Sequence, residues 1–192
     1  MFGYQKNIKR AIDILMSALL LVFCVPIMLF IYLIVLITEG RPVIFCQKRL
    51  GKHNKPFVMF KFRTLKLKKF ENFSFSEGDL IFPGRFLRRT GLDELPQLLN
   101  VLKGDMSLVG PRPLPVEYLS RLIDHPRSTV SPGLTGVVQI SGDNDLPWNT
   151  RFFLDRMYIK NICLIQDARI LFRTLLTPLC RKRLKGAPLS LK

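Results

Sequence analysis

Carboxylates are scarce in this chain: 14 Asp and Glu stand against 30 Lys and Arg over 192 residues, a formal charge of +16. An imbalance of that size calls for an anionic partner, and nucleic acid, anionic lipid headgroups and phosphorylated small molecules all qualify. Histidine is scarcer still. His53 and His125 are far apart and read as surface or loop residues, which leaves no histidine-rich metal site. The cysteines, Cys24, Cys46, Cys163 and Cys180, lack the close pairing of metal ligands and read as reduced fillers in a cytosol-facing protein. Trp148 is the single tryptophan, suited either to a core or to a membrane interface. No internal repeat or separate linker is visible, so the chain from Gly40 onward reads as one compact domain, long enough to bury a core.

Only one long apolar run exists. Residues 12–37, interrupted in polarity by Asp13 and Ser17, are long enough for a membrane helix. The run is too long for a signal peptide, and no small-residue cleavage site follows it. Lys6, Lys9 and Arg10 precede it, and Arg41, Lys48, Arg49, Lys52 and Lys55 follow. Basic residues at both ends favour keeping both ends on the cytoplasmic side. Pro26 removes a helix hydrogen bond and clashes with the carbonyl four residues back, leaving two arms each too short to cross. Two readings stand: a helix that enters one leaflet, breaks at Pro26 and returns, or a simple kinked span.

Beyond this run, residues 41–70 carry ten Lys or Arg and no acid, interleaved with Phe45, Phe57, Phe60, Phe62 and Phe70. Such a mixture could stack single-stranded nucleic acid. Headgroup attraction, about 1 kcal/mol per basic residue near an anionic bilayer surface, explains the charge more simply beside a membrane segment. Residues 58–64 alternate as a strand does, and residues 66–79 read as an exposed, mobile loop.

The chemistry concentrates at Arg88-Arg89-Thr90-Gly91-Leu92-Asp93-Glu94-Leu95-Pro96-Gln97. Thr90 or Asp93 can cap a helix here, and Pro96 is tolerated in a first turn. Leu95, Leu98, Leu99 and Leu102 then fall on one apolar face until Lys103-Gly104 ends the run. Acids in a first turn often do no more than stabilise the helix, by about 0.3–1 kcal/mol. The functional alternative is that the dipole and Arg88, Arg89 and Arg112 keep one carboxylate ionised as a nucleophile, while its neighbour holds a hard cation that neutralises phosphate.

Residues 106–109 read as a short strand, and Gly110-Pro111-Arg112-Pro113 as a rigid turn that fixes a guanidinium for phosphate. Residues 131–136 open a loop, 137–140 read as a strand and 141–145 as a turn. Residues 161–179 read as a helix with Ile162, Ile165, Ile170, Leu171, Leu175 and Leu176 on one apolar side, lying in the membrane interface or capping the core. The basic tail from Arg181 strengthens the interfacial reading.

Taken together, Lys9-Arg10 with Asp13, the apolar run with Pro26, Val43-Ile44-Phe45-Cys46-Gln47-Lys48-Arg49, Lys61-Phe62-Arg63-Thr64, Leu92-Asp93-Glu94-Leu95-Pro96-Gln97, residues 100–113, Pro132-Gly133-Leu134-Thr135-Gly136 and Asp155 with Tyr158 closely resemble the bacterial sugar transferases. These are the monotopic phosphoglycosyl transferases, in their small form. The likeness runs from Lys9 to about Leu176. It implies an α+β protein: a basic N-terminus and re-entrant membrane helix over residues 1–40, a small, mainly helical cytosolic catalytic domain with interfacial amphipathic helices over 41–180, and a basic tail over 181–192.

The activity it implies is transfer of sugar-1-phosphate from a UDP-sugar to polyprenyl phosphate, normally undecaprenyl phosphate, with release of UMP. This is the first membrane step of a surface glycan, at the bacterial inner membrane with the catalytic domain facing the cytoplasm. Asp93 would be the nucleophile and Glu94 the magnesium ligand, with Lys61, Arg63, Arg88 and Arg112 on phosphate. Partners would be the anionic bilayer and downstream glycosyltransferases, with no nucleic acid. A non-catalytic membrane scaffold of the same shape is the alternative. Two departures from the family pattern stand out: Val25 rather than serine precedes Pro26, and Gly142-Asp143-Asn144 has no arginine.

Overall fold

The apolar run folds as helix α1 (Lys9–Glu39), preceded by a wide helical turn at Tyr4–Ile8. The computed structural model describes residues 4–67, 77–121, 125–142 and 146–180. The expected turn at 143–145, the basic tail and most of the expected loop at 66–79 lie outside the described residues. At 1.5 Å per residue, the 31 residues of α1 extend about 46 Å, more than the roughly 30 Å of a hydrocarbon core. Pro26 lies inside this helix, whose helical assignment continues past it. Most of α1 presents apolar side chains outward, with Leu15, Val22, Phe23, Phe30 and Ile37 all exposed, as suits a helix solvated by lipid.

Its buried positions are few, and they dock it. Asp13 Oδ1 accepts a hydrogen bond from the Leu108 backbone N–H at 3.0 Å, and Arg10 donates to the carbonyls of Val101 and Leu102 at 2.6 and 2.8 Å. Lys9 pairs with buried Asp167 at 2.6 Å, and Tyr4 and Tyr158 both donate to the same carboxylate at 2.9 Å. Further along, Ile31 and Val35 pack with Val43, Phe62, Ile81 and Leu87. One domain therefore touches both halves of α1.

Strands β1 (Ile44–Leu50) and β2 (Pro56–Phe62) form an antiparallel hairpin with Arg49 opposite Phe57, Gln47 opposite Met59 and Phe45 opposite Lys61. Side chains alternate across a strand, so Gln47, Arg49, Met59 and Lys61 share one face. Helix α2 (Gly84–Thr90) follows, and Gly91 at φ +76° reverses the chain into a tight helical turn at Leu92–Glu94. Helix α3 (Gln97–Lys103) ends at Gly104 (φ +97°), the stop expected from sequence. Fully buried Asn100 ties α3 to the edge of β2, accepting from the Phe60 N–H at 3.1 Å and donating to the Val58 carbonyl at 2.7 Å.

Strand β3 (Ser107–Val109) runs parallel to β4 (Gly133–Thr135). Residues 137–140, expected as a strand, form the short helix α4 (Val137–Ile140); the strand lies one segment earlier, where Gly133 allows it. A Cβ on Gly133 would sit 2.1 Å from the Gly110 nitrogen, and one on Gly136 2.1 Å from the Gly110 carbonyl oxygen. These glycines let the 110–113 turn lie directly against the 133–139 segment.

Helices α5 (Trp148–Lys160) and α6 (Leu164–Cys180) complete the fold. The single apolar side expected for 161–179 is two faces. Ile162, Asp167 and Ile170 point into the core, whereas Leu164, Ile165, Phe172, Leu175 and Leu176 form an exposed apolar stripe. Trp148 stacks near Tyr118 and Phe152, with ring centroids 5.1 and 5.5 Å apart, in a small cluster with Leu50 and Leu114. Cys46 and Cys163 are free and exposed rather than core fillers.

Candidate active site

Asp93 and Glu94 occupy the tight turn ahead of α3, so neither caps that helix; Pro96 holds the N-cap position, with no side-chain cap. Thr90 ends α2 instead, its hydroxyl bonded to the Phe86 carbonyl at 2.8 Å. The face α3 buries is Gln97, Leu98, Asn100 and Val101, while Leu99 is exposed. The expected leucine face thus gives way to one carrying two amides, of which Asn100 answers backbone groups at the edge of β2.

Asp93 is buried at 7% exposure, and Glu94 is partly open. Lys61, at the end of β2, donates to Glu94 Oε1 at 2.6 Å. Arg88 Nε donates to Thr64 Oγ1 at 2.8 Å, and its charge lowers the Asp93 pKa. Burial is the larger influence on Asp93, followed by the Glu94 charge, and together they push its pKa up to about 6 against the attraction of Lys61 and Arg88. Burial and the Glu94 charge outweigh the pull of Lys61 and Arg88 and make Asp93 more basic than an ordinary aspartate, while Arg89 is exposed.

A cleft opens beside the pair, lined by Arg49, Lys61, Glu94, Gln97, Arg112 and Gln139. Of the residues expected on phosphate, Lys61 and Arg112 line it, while Arg88 acts on Asp93 through its charge. Arg63 goes elsewhere: 1% exposed, its guanidinium donates to the carbonyls of Glu39 and Gly40 at 2.8 and 3.1 Å. It fastens the C-terminal end of α1, where cations complement the dipole, rather than joining the cleft. Among the described residues, no group of three or more Asp, Glu, His or Cys forms a metal cage. Two adjacent carboxylates suit a magnesium ion that completes its shell with water and substrate phosphate.

The 110–113 turn is itself clamped. Buried Arg127 donates to the Arg112 carbonyl at 2.5 Å and pairs with buried Asp155 at 3.4 Å. The backbone beneath Arg112 is thereby fixed from α5.

The family model described as "Bacterial sugar transferase" matches residues 4–181. The chain belongs to this family. It is 43% identical to an uncharacterized sugar transferase of Bacillus subtilis, over 87% of this chain and 85% of that protein. It is 38% identical to the undecaprenyl-phosphate galactose phosphotransferase of Salmonella typhimurium, over 88% of this chain but 40% of that protein. It is also 38% identical to the UDP-glucose:undecaprenyl-phosphate glucose-1-phosphate transferase of Escherichia coli, over 90% of this chain and again 40% of that protein. The chain thus spans about two fifths of those two larger relatives.

Within this sugar transferase, the residues missed from sequence are Arg49, Gln97, Gln139 and the Arg127–Asp155 clamp. Arg49, Gln97 and Asp155 stood in the motifs that carry the family resemblance, but only the hairpin register and the packing of separate elements place them at the cleft or beneath it.

Proposed function

We propose that this chain transfers sugar-1-phosphate from a UDP-sugar to polyprenyl phosphate through a covalent intermediate on Asp93. The observation that carries the reading is a buried carboxylate of raised pKa beside a Lys61–Glu94 pair, at the edge of a cleft lined by arginines. The name of the E. coli relative gives UDP-glucose and undecaprenyl phosphate as its substrates, and that of the Salmonella relative gives undecaprenyl phosphate and galactose, which supports the same substrate classes here.

In the first step an Asp93 carboxylate oxygen forms a bond to the phosphorus that bears the sugar. The bond from that phosphorus to the bridging oxygen breaks, and UMP leaves with the electron pair. In the second, an oxygen of the lipid phosphate attacks the same phosphorus and Asp93 departs as a carboxylate. Two displacements replace one, and fixed cations offset the charge that would repel an anionic nucleophile. Glu94 would hold a magnesium ion, which would neutralise phosphate charge. Lys61 orients Glu94, the charge of Arg88 acts on Asp93, and the clamp fixes the backbone that carries Arg112.

The lipid substrate requires a membrane site, and α1 supports one with its outward apolar surface. That one domain contacts both halves of α1 favours a re-entrant helix with both ends on one side, since a domain on one face of a bilayer does not reach the far end of a spanning helix. The exposed stripe of α6, with exposed Phe82, Phe86 and Phe153, supports seating the domain in the interface on the cytoplasmic face of the bacterial inner membrane.

The test is UMP release by protein in nanodiscs with magnesium and undecaprenyl phosphate across a panel of UDP-sugars, together with intact mass without the lipid. The expected result is UMP release with one sugar, a phosphosugar adduct on Asp93, and loss of both in Asp93→Asn. Adduct or UMP formation that persists in Asp93→Asn overturns the mechanism, and silence with every donor favours a scaffold.

A further inference from the structure

The C-terminal end of α1 is held by a buried cation. Arg63 is 1% exposed, and its Nη2 donates to the carbonyls of Glu39 and Gly40 at 2.8 and 3.1 Å, while its backbone N–H donates to the Val43 carbonyl at 2.8 Å. Among the described residues it forms no ion pair, and its Nε and Nη1 have no hydrogen-bond partner. A buried guanidinium is costly unless something answers its charge. Here the negative end of a 31-residue helix does so, and α1 can leave this position only by stripping the cation of its partners.

The next residue faces the reaction. Thr64 is buried, its Oγ1 accepts from Arg88 Nε at 2.8 Å, and its carbonyl accepts from the Ile81 N–H at 3.1 Å. A Cβ on Gly84 would collide with the Thr64 carbonyl oxygen, so α2 begins directly against this backbone. Arg88, from α2, is a cation whose charge acts on Asp93. The residues before Arg63 and Arg88, Phe62 and Leu87, pack with Ile31 and Val35 of α1. Two consecutive residues therefore join the end of α1 to the segment that serves the nucleophile.

That junction matters to one substrate more than to the other. The cleft that would receive a soluble donor is lined from the hairpin, the Leu92–Glu94 turn, α3, the 110–113 turn, β4 and α4, and Arg63 is not part of it. The acceptor carries its phosphate on a chain dissolved in the bilayer. Among the described residues, α1 is the one helix long and apolar enough to cross a membrane. The height of α1 relative to Asp93 then sets where a lipid phosphate stands.

We propose that Arg63 is a positioning residue for the lipid half of the reaction, fixing the end of α1 at the depth from which an acceptor phosphate reaches the phosphorus on Asp93. The inference rests on the transfer proposed above. In that half an oxygen of the lipid phosphate bonds to the phosphorus as the phosphorus–oxygen bond to Asp93 breaks, and the electron pair leaves with the carboxylate. Reacting atoms must approach to about 3–3.5 Å, and a misplacement of about 1 Å can cost about a hundredfold. The first half uses a soluble donor and does not depend on that depth.

The experiment times the two halves separately in the full-length protein in nanodiscs, with a UDP-sugar that wild type accepts. Adduct formation is followed by intact mass and UMP release without lipid. Discharge of the adduct is followed after adding undecaprenyl phosphate or geranyl phosphate, which is short enough to arrive from water. Arg63→Met keeps the length of the side chain and leaves no buried charge, which favours folding. It should form the adduct within about twofold of the wild-type rate, discharge it to undecaprenyl phosphate about tenfold or more slowly, and discharge it to geranyl phosphate as wild type does. Arg63→Lys keeps a cation at the helix end and should recover part of the loss; it carries the same comparison if the methionine variant does not fold. Equal slowing with both acceptors, or of formation and discharge together, marks a merely structural role and overturns the proposal, as does unchanged discharge to undecaprenyl phosphate. If wild type completes both halves and the variants match it, only this inference fails; if wild type forms no adduct and releases no UMP with any donor, the transferase reading itself fails.

Discussion

Replacing Asp93 by asparagine separates what its carboxylate does in chemistry from what it costs the fold. Burial and Glu94 raise the Asp93 pKa from 3.8 to about 6. At about 1.4 kcal/mol per unit, the ionised side chain is disfavoured in the folded state by on the order of 3 kcal/mol. The sign follows from proton binding. Between about pH 4 and 6 the folded state holds a proton that the unfolded state has lost, so the group supports folding at low pH and this contribution is lost as pH rises through 6. Asparagine carries no charge at any pH. Asp93→Asn should therefore melt above wild type at pH 8, with an upper figure of roughly 6–12 °C for a chain of this size. The gap should narrow as pH falls below 6 and close near 4. Melting curves in detergent with chelator, from pH 4.5 to 8, measure it, and UMP release should be abolished throughout. Equal melting temperatures at pH 8, or a gap that widens on acidification, would refute the assignment of burial as the dominant influence on Asp93.

Three further outcomes follow from the same geometry. Wild-type kcat/KM should fall about tenfold per unit below pH 6; Lys61→Met should move that limb to higher pH and Glu94→Gln to lower pH, because their charges act on Asp93 in opposite directions. Shifts in the same direction would contradict the coupling. Asp155→Asn leaves Arg127 without its buried carboxylate beneath the Arg112 turn, and should cost about 3–5 kcal/mol in denaturant unfolding; a loss under 1 kcal/mol would show the clamp to be unimportant. Gly133→Ala places a Cβ 2.1 Å from the Gly110 nitrogen and 2.3 Å from the Thr135 carbonyl oxygen, so little folded protein should accumulate; normal yield and melting temperature would show that this backbone contact can relax.

By itself the sequence determined what short-range pattern and chemistry determine. The long apolar run became α1, alternation over 58–64 marked β2, Gly104 ended α3, and the long motif around Asp93-Glu94 identified the family. Each of those signals lies within a few residues of its consequence. Only the tertiary structure decided where long side chains and buried polar groups find partners. Asp13 meets the Leu108 backbone 95 positions away, and Lys9 meets Asp167 across 158. Arg63, which reads as a phosphate ligand beside Lys61, turns instead to the end of α1, whose last carbonyls need donors. Arg49 and Gln139 reach the cleft because a hairpin register and a contact among three glycines bring separate segments together. A guanidinium or amide finds its partner through packing between elements, and local periodicity contains no record of that packing.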